Sequence, residues 1–169
     1  DKTVFGGAWG MDGTCGNTEV VVEDGTIGWV YGGGNNGSVT GTALVTISGG
    51  TVNNSVFGGS DAVGSTVGCT ELDITGGTLN HIYGGGWNGD VTGTATTNVS
   101  GDNTVVSGFI IGSTEGTGTA GNTDVTLDTS ADNPIQEVHG AGINYNNTVH
   151  GKVSGNVNLT VLDGRITGT

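Results

Sequence analysis

Only three of the 169 residues are basic, one is proline and two are cysteine, and no apolar run approaches the length of a membrane span. Each scarcity excludes something. Lys2, Lys152 and Arg165 cannot assemble the basic patch that nucleic acid or an anionic membrane surface requires, against 16 acidic residues and a net charge of −13. Collagen is excluded, because Pro134 stands alone and no Gly-X-Y period organises the 37 glycines. Helix formers are scarce and no apolar set keeps a 3.6-residue period, so a helical repeat is excluded too. Calcium has weak support, since no loop carries the D-x-D-x-D-G or G-G-x-G-x-D spacing that wraps the ion. The acidity is read as solubility outside the cell.

What the chain does have is a repeat. Val4-Phe5-Gly6-Gly7 returns as Val30-Tyr31-Gly32-Gly33, Val56-Phe57-Gly58-Gly59 and Ile82-Tyr83-Gly84-Gly85. Two worn copies follow, starting at Ile110 and Val138. The interval of 26 to 28 residues is a solenoid signature. A glycine followed by alternating residues recurs at 16–22, 41–47, 68–74, 93–99, 121–127 and 155–161. Alternation of period two means strand. The expected inward sets are Thr18/Val20/Val22, Ala43/Val45/Ile47, Thr70/Leu72/Ile74, Ala95/Thr97/Val99, Thr123/Val125/Leu127 and Val157/Leu159/Val161. A third short strand is expected at Ile27, Val52, Leu79, Val105, Ile135 and Ile166.

The expected fold is therefore all-β: a single-stranded parallel β-helix of about six rungs, each with three short strands, coiling right-handedly as parallel crossovers prefer. Residues 1–169 form one module. The chain starts and stops inside its own pattern, which suggests a module excised from a larger multidomain protein, secreted or displayed on a bacterial surface. Cys15 and Cys69 fall two rungs apart, about 10 Å along the axis. That exceeds the Cα separation a disulfide allows, so both are expected as free thiols. His81, His139 and His150 occupy unrelated offsets and form no metal cluster.

Catalysis is not expected. Asp12, Asp61, Asp73, Asp90, Asp124 and Asp128 are scattered over rungs and faces, and the basic residues that support acid chemistry on this fold are too few. The placement of nine aromatics is more informative. Trp9 and Trp87 fall in one column, five residues after Val4 and Ile82, with Asn35 and Asp61 between them and Glu115 and Ile143 beyond. Exposed indoles with an amide and a carboxylate between them suit a sugar chain: C–H faces stack on rings while hydroxyls bond to polar groups. Asn88 extends the polar strip, and Tyr145 is either an outer wall or a loop cap. The alternative, indoles folded inward, would bury Asn35 and Asp61. A second column, Phe5/Tyr31/Phe57/Tyr83/Ile111/His139, is expected inside the solenoid by default. Strict alternation from Val30 would instead point it outward, as the floor of the same cleft. Trp29 is a corner plug or a separate contact.

The repeated Val/Ile-Phe/Tyr-Gly-Gly, with its Gly-x-x-x-x-x-Ile and Gly-Gly-Thr-Val continuations, resembles glycine-rich β-helix regions of large secreted gut-bacterial proteins. More narrowly it is similar to carbohydrate-binding modules of family 89, parallel β-helices that accompany xylanases. The resemblance implies a non-catalytic module for xylan or arabinoxylan that holds an appended glycoside hydrolase on plant cell walls. The alternative is a structural or adhesive solenoid segment of a bacterial surface protein.

Overall fold

The computed structural model describes residues 2–145 and 148–168, with the side chains of Tyr145 and Thr148 outside the description. The first rung carries β1 (Thr3–Phe5), β2 (Thr14–Cys15) and β3 (Thr18–Val22). The next three are β4 (Thr26–Tyr31) with β5 (Ser38–Ile47), β6 (Thr51–Phe57) with β7 (Thr66–Ile74), and β8 (Gly77–Tyr83) with β9 (Asp90–Gly101). Then come β10 (Thr104–Val106), β11 (Phe109–Ile111) and β12 (Thr119–Thr129). The last rung has β13 (Glu137–His139), β14 (Ile143–Tyr145), β15 (Thr148–His150), β16 (Lys152–Val153) and β17 (Val157–Asp163).

These strands stack in parallel. One sheet runs β1-β4-β6-β8-β11-β13, and the other runs β2-β5-β7-β9-β12-β16, with β3 and β17 as continuations. The result is a β-solenoid of about five complete turns, slightly fewer than expected. Past β17 the coil continues as the Ile135–Ile166 bridge and the Thr167 and Gly168 amides bonded to the Ile135 and Gln136 carbonyls. In β4, β6 and β8 the third strand is not separate, because it runs into the first sheet through a bulge, whereas in the next rung it stands apart as β10. Between the paired positions lie Gly28 in β4, Asn53 and Asn54 in β6, and Asn80 in β8. A bulge adds a residue on one side without breaking the stack.

The inward columns of the second sheet match expectation through five rungs. Val45, Ile47, Leu72, Ile74, Val125 and Leu127 are fully buried, in register with their neighbours above and below. Val157, Leu159 and Val161 sit in the same columns but stay exposed, since no rung covers that face. In the third strand Val106, not Val105, stacks on Leu79. Val105 pairs with Thr78, and Val106 is the residue at 2% exposure. Cys15 and Cys69 are free thiols.

Two kinds of glycine hold the coil together. Gly25, Gly50, Gly77 and Gly101 turn one corner at φ of 77° to 93°, a left-handed region that side chains disfavour. The tetrad glycines face inward where rungs approach most closely: a Cβ on Gly58 would overlap the Gly84 carbonyl and the Thr70 side chain. Around Gly16 there is open space and the backbone is ordinary. Gly58→Ala should therefore lower unfolding stability by about 1–3 kcal/mol. Gly16→Ala should change it little, and urea unfolding of the pair checks the contrast.

Thr70 and Thr97 both point inward, but they differ in partners. Thr70 donates its hydroxyl to the Gly84 carbonyl at 2.6 Å, whereas the buried Thr97 hydroxyl has no partner. Thr97 stands in the column of Val45, Leu72 and Val125. Thr97→Val should stabilise the fold by roughly 1 kcal/mol, and Thr70→Val should destabilise it by a similar amount. Thermal melts of the two variants decide this.

Candidate functional site

The first sheet alternates like any strand. Val30, Val56, Ile82 and Ile110 enter the main core, so their neighbours Tyr31, Phe57, Tyr83 and Ile111 face the other way. The aromatic column is therefore not inside the main core, which corrects the default expectation. It forms a separate ladder on the outer face of the first sheet. Phe5, Tyr31, Phe57 and Tyr83 stack with centroid spacings of 4.8, 4.6 and 4.9 Å and interplanar angles of 15°, 10° and 10°. The rings cover each other's faces, and their edges floor a groove along the axis.

Three contiguous cavities make up this groove. The first, about 450 Å³, is lined by Phe5, Trp29, Tyr31, Asn35, Asp61 and Trp87. The second, about 370 Å³, shares Trp29, Tyr31 and Trp87 and adds Phe57, His81 and Glu115. The third, about 490 Å³, contains Tyr83, Phe109, Glu115, Glu137, His139 and His150. One wall is the column two residues before the ladder, which includes Trp29, Ser55, His81 and Phe109 in register. The opposite wall is the corner column.

That corner column is built as the spacing requires. Trp9 bridges Asn35 in parallel, and the amides of Asp61, Trp87 and Glu115 each bond the preceding rung, at Gly34, Ser60 and Gly86. Ser60 fastens this corner: its hydroxyl donates to the Gly37 carbonyl at 3.1 Å and accepts from the Gly34 amide at 3.0 Å. Both indoles are at the surface, Trp87 at 45% and Trp9 at 85% exposure, so the inward alternative fails. Trp87 overhangs the first two cavities, whereas Trp9 stands on the column without lining them.

Other expectations are redistributed. Asn35 and Asp61 line the groove, but Asn88 does not. Its Oδ1 accepts from the Thr117 amide at 3.2 Å and serves the stack itself. Ile143 does not continue the column, because β14 and β15 form an antiparallel hairpin that pairs it with His150. The stack resumes at Gly151, whose amide bonds the Gly116 carbonyl. Tyr145 lies in that hairpin, but its side chain is outside the described residues. Trp29, at 37% exposure, is a wall shared by two cavities and not a corner plug. His81, His150 and Glu115 were not singled out from sequence as site residues, although Glu115 already stood in the right column.

The groove is electrostatically unusual. Burial pushes the Asp61 and Glu115 carboxyls above their ordinary range. For Glu115 the nearby His150 and a hydrogen bond from Tyr83 pull partly back. Burial, then the charges of Asp61 and Glu115, push the Tyr31 phenol up, and burial and Glu115 do the same at Tyr83. Burial lowers His81, whose Nδ1 accepts the Phe109 amide at 3.3 Å, which leaves Nε2–H as a donor. His150 donates Nδ1–H to the Glu115 carbonyl oxygen at 2.8 Å. Among the described residues no three His, Cys, Asp or Glu side chains are grouped as a metal would need. No family model matches the chain, and neither a curated protein nor a solved structure matches it.

A carboxyl raised on folding holds its proton in the folded state at a pH where the unfolded chain has released it. Its contribution is full below the unfolded value and is lost as pH rises through the folded one. A lowered His81 acts with the opposite sign as pH falls. Comparing Glu115→Gln with the parent isolates Glu115 together with the groups coupled to it, His150, Tyr83 and Tyr31. The variant should melt higher near neutral pH, and the gap should close as pH approaches about 4, the ordinary carboxylate range. Melting both proteins across that range tests the assignment.

Proposed function

We propose that this chain is a non-catalytic carbohydrate-binding module for plant cell-wall polysaccharide of the xylan or arabinoxylan type. Its role would be to hold an appended glycoside hydrolase of a secreted or cell-surface bacterial protein on that substrate. The observation that carries the reading is the axial groove with an aromatic floor, Trp29 on one wall, and Trp87, Asn35 and Asp61 on the other. Tryptophan offers a broad apolar face for pyranose C–H groups. Asn35, Asp61 and His81 supply an amide, an acceptor and a donor at the depth where hydroxyls would lie. The six-strand ladder from Phe5 to His139 gives a trough about 24 Å long at the β-sheet spacing. The resemblance to family 89 supports xylan as the chain, and an open groove supports internal stretches of polymer over chain ends.

Open grooves desolvate few contacts, so affinity should be modest, roughly micromolar to millimolar. Trp87→Ala should abolish retention on xylan in affinity electrophoresis, and Trp29→Ala should weaken it by about tenfold or more. Trp9→Ala should have the smaller effect, since Trp9 lines no part of the trough. Unchanged migration of the Trp87 and Trp29 variants would defeat the site.

A second reading, a structural or adhesive solenoid segment, is favoured by one feature. Val157, Leu159, Val161 and Leu162 leave the last rung with an uncovered apolar edge. Under that reading the parent protein would show no retention on any polysaccharide.

A further inference from the structure

We infer that the groove is a charge filter that takes neutral sugar chains and rejects those bearing uronic acids. This inference rests on the carbohydrate reading and adds the class of chain that can enter. Asp61 opens into the first cavity, Glu115 into the second and third, and Glu137 into the third. Every stretch of the trough is therefore faced by a carboxylate.

No lysine or arginine among the described residues offsets them, since none lines any of the three cavities. Lys152 belongs to the second sheet, paired with Thr119, and the Arg165 carbonyl bonds Ile135 beyond the last turn. Lys2 precedes Thr3 at the N-terminal end of the trough, away from Glu115 and Glu137. The imidazoles are already engaged: burial disfavours the charged form of His81, His139 is paired with Glu137 at 3.0 Å, and His150 is bonded to the Glu115 carbonyl and acts on its carboxyl. That leaves Asp61 with no basic side chain among the described residues beside it in the first cavity.

Asp61 and Glu115 are also half-buried in the groove, and that burial raises both carboxyls. Carboxylates in such a place act on a bound charge at lower effective dielectric than exposed ones do. A uronate seated among them would meet like charge with no guanidinium or ammonium to pair with, and like-charge juxtaposition costs several kcal/mol. Hydroxyls of a neutral chain meet the same oxygens as acceptors.

The test compares neutral xylo-oligosaccharides with oligogalacturonates of similar length, by calorimetry above neutral pH. Salt near 0.15 M limits the overall negative field to about 8 Å, so that local charges decide the result. The parent should bind the neutral chain at least about tenfold more tightly than the uronate. Asp61→Asn with Glu115→Gln should narrow that ratio. Glu19→Gln with Glu71→Gln, an equal change of charge on the outer face of the second sheet, should leave it unchanged. Equal binding of both chains by the parent would overturn the filter while leaving the carbohydrate reading intact. An equal narrowing by the control pair would assign the effect to net charge and also overturn it. If the neutral chain does not bind at all, both readings fall together.

Discussion

Everything in this molecule depends on one repeated constraint, the parallel ladder that seats each rung on the last in unbroken register. A rung by itself buries almost nothing. Val45 is fully buried because Val20 and Leu72 lie directly beneath and above it, and Leu72 because Val45 and Thr97 do. Stability is a sum over such interfaces, so it is lowest where a neighbour is missing. The exposed Val157, Leu159 and Val161 show the consequence directly, since the same column positions are closed one rung earlier. The tetrad glycines belong to the same constraint. At their positions the rungs come so close that a single methyl group would part them.

The same register turns sequence period into surface geometry. Residues 26 apart in the chain become neighbours in a line, so any chemistry repeated at that interval becomes a stripe. The Phe5–Tyr31–Phe57–Tyr83 ladder is such a stripe, with each ring pair contributing on the order of 1 kcal/mol beyond its buried area. The ladder lies outside the main core, yet the Tyr31, Phe57 and Tyr83 rings are almost wholly buried, because they shield one another and the two walls shield their flanks, while Phe5 at the end is only partly buried. It stabilises the first sheet and shapes a groove at the same time.

What could be read from sequence, and what could not, follows from how each segment counts residues. The second sheet was legible because its alternation runs without interruption from glycine to a β-branched residue or leucine in every copy. The first sheet was not, because the link between its two halves is one residue at Gly28 and Asn80 but two at Asn53–Asn54. A single added residue reverses which face a side chain takes. The aromatic column's direction hung on that link, and so did the choice between Val105 and Val106. Ile143 was misplaced for a related reason: an antiparallel hairpin inserted after Gly142 resets the count. Asn88 shows a different limit. An amide beside a tryptophan serves a ligand or the next rung equally well by composition, and only the position of the Thr117 amide decides between them.

The acids of the groove carry the last step. The chain holds 16 acidic residues, and a solenoid offers many outward columns where a carboxylate sits in water at no cost. Asp61 and Glu115 instead stand half-buried in the groove, where desolvation raises both and no lysine or arginine among the described residues lines the cavities beside them. Such placement works against stability near neutral pH. Groups held away from their ordinary values in a cleft gather where a molecule does its work. The exposed column that carries Trp9 and Trp87 is also the one that bears this cost. Two independent physical signals, an unpaid desolvation and an apolar ring left facing solvent, thus converge on the same strip of surface, and packing alone requires neither.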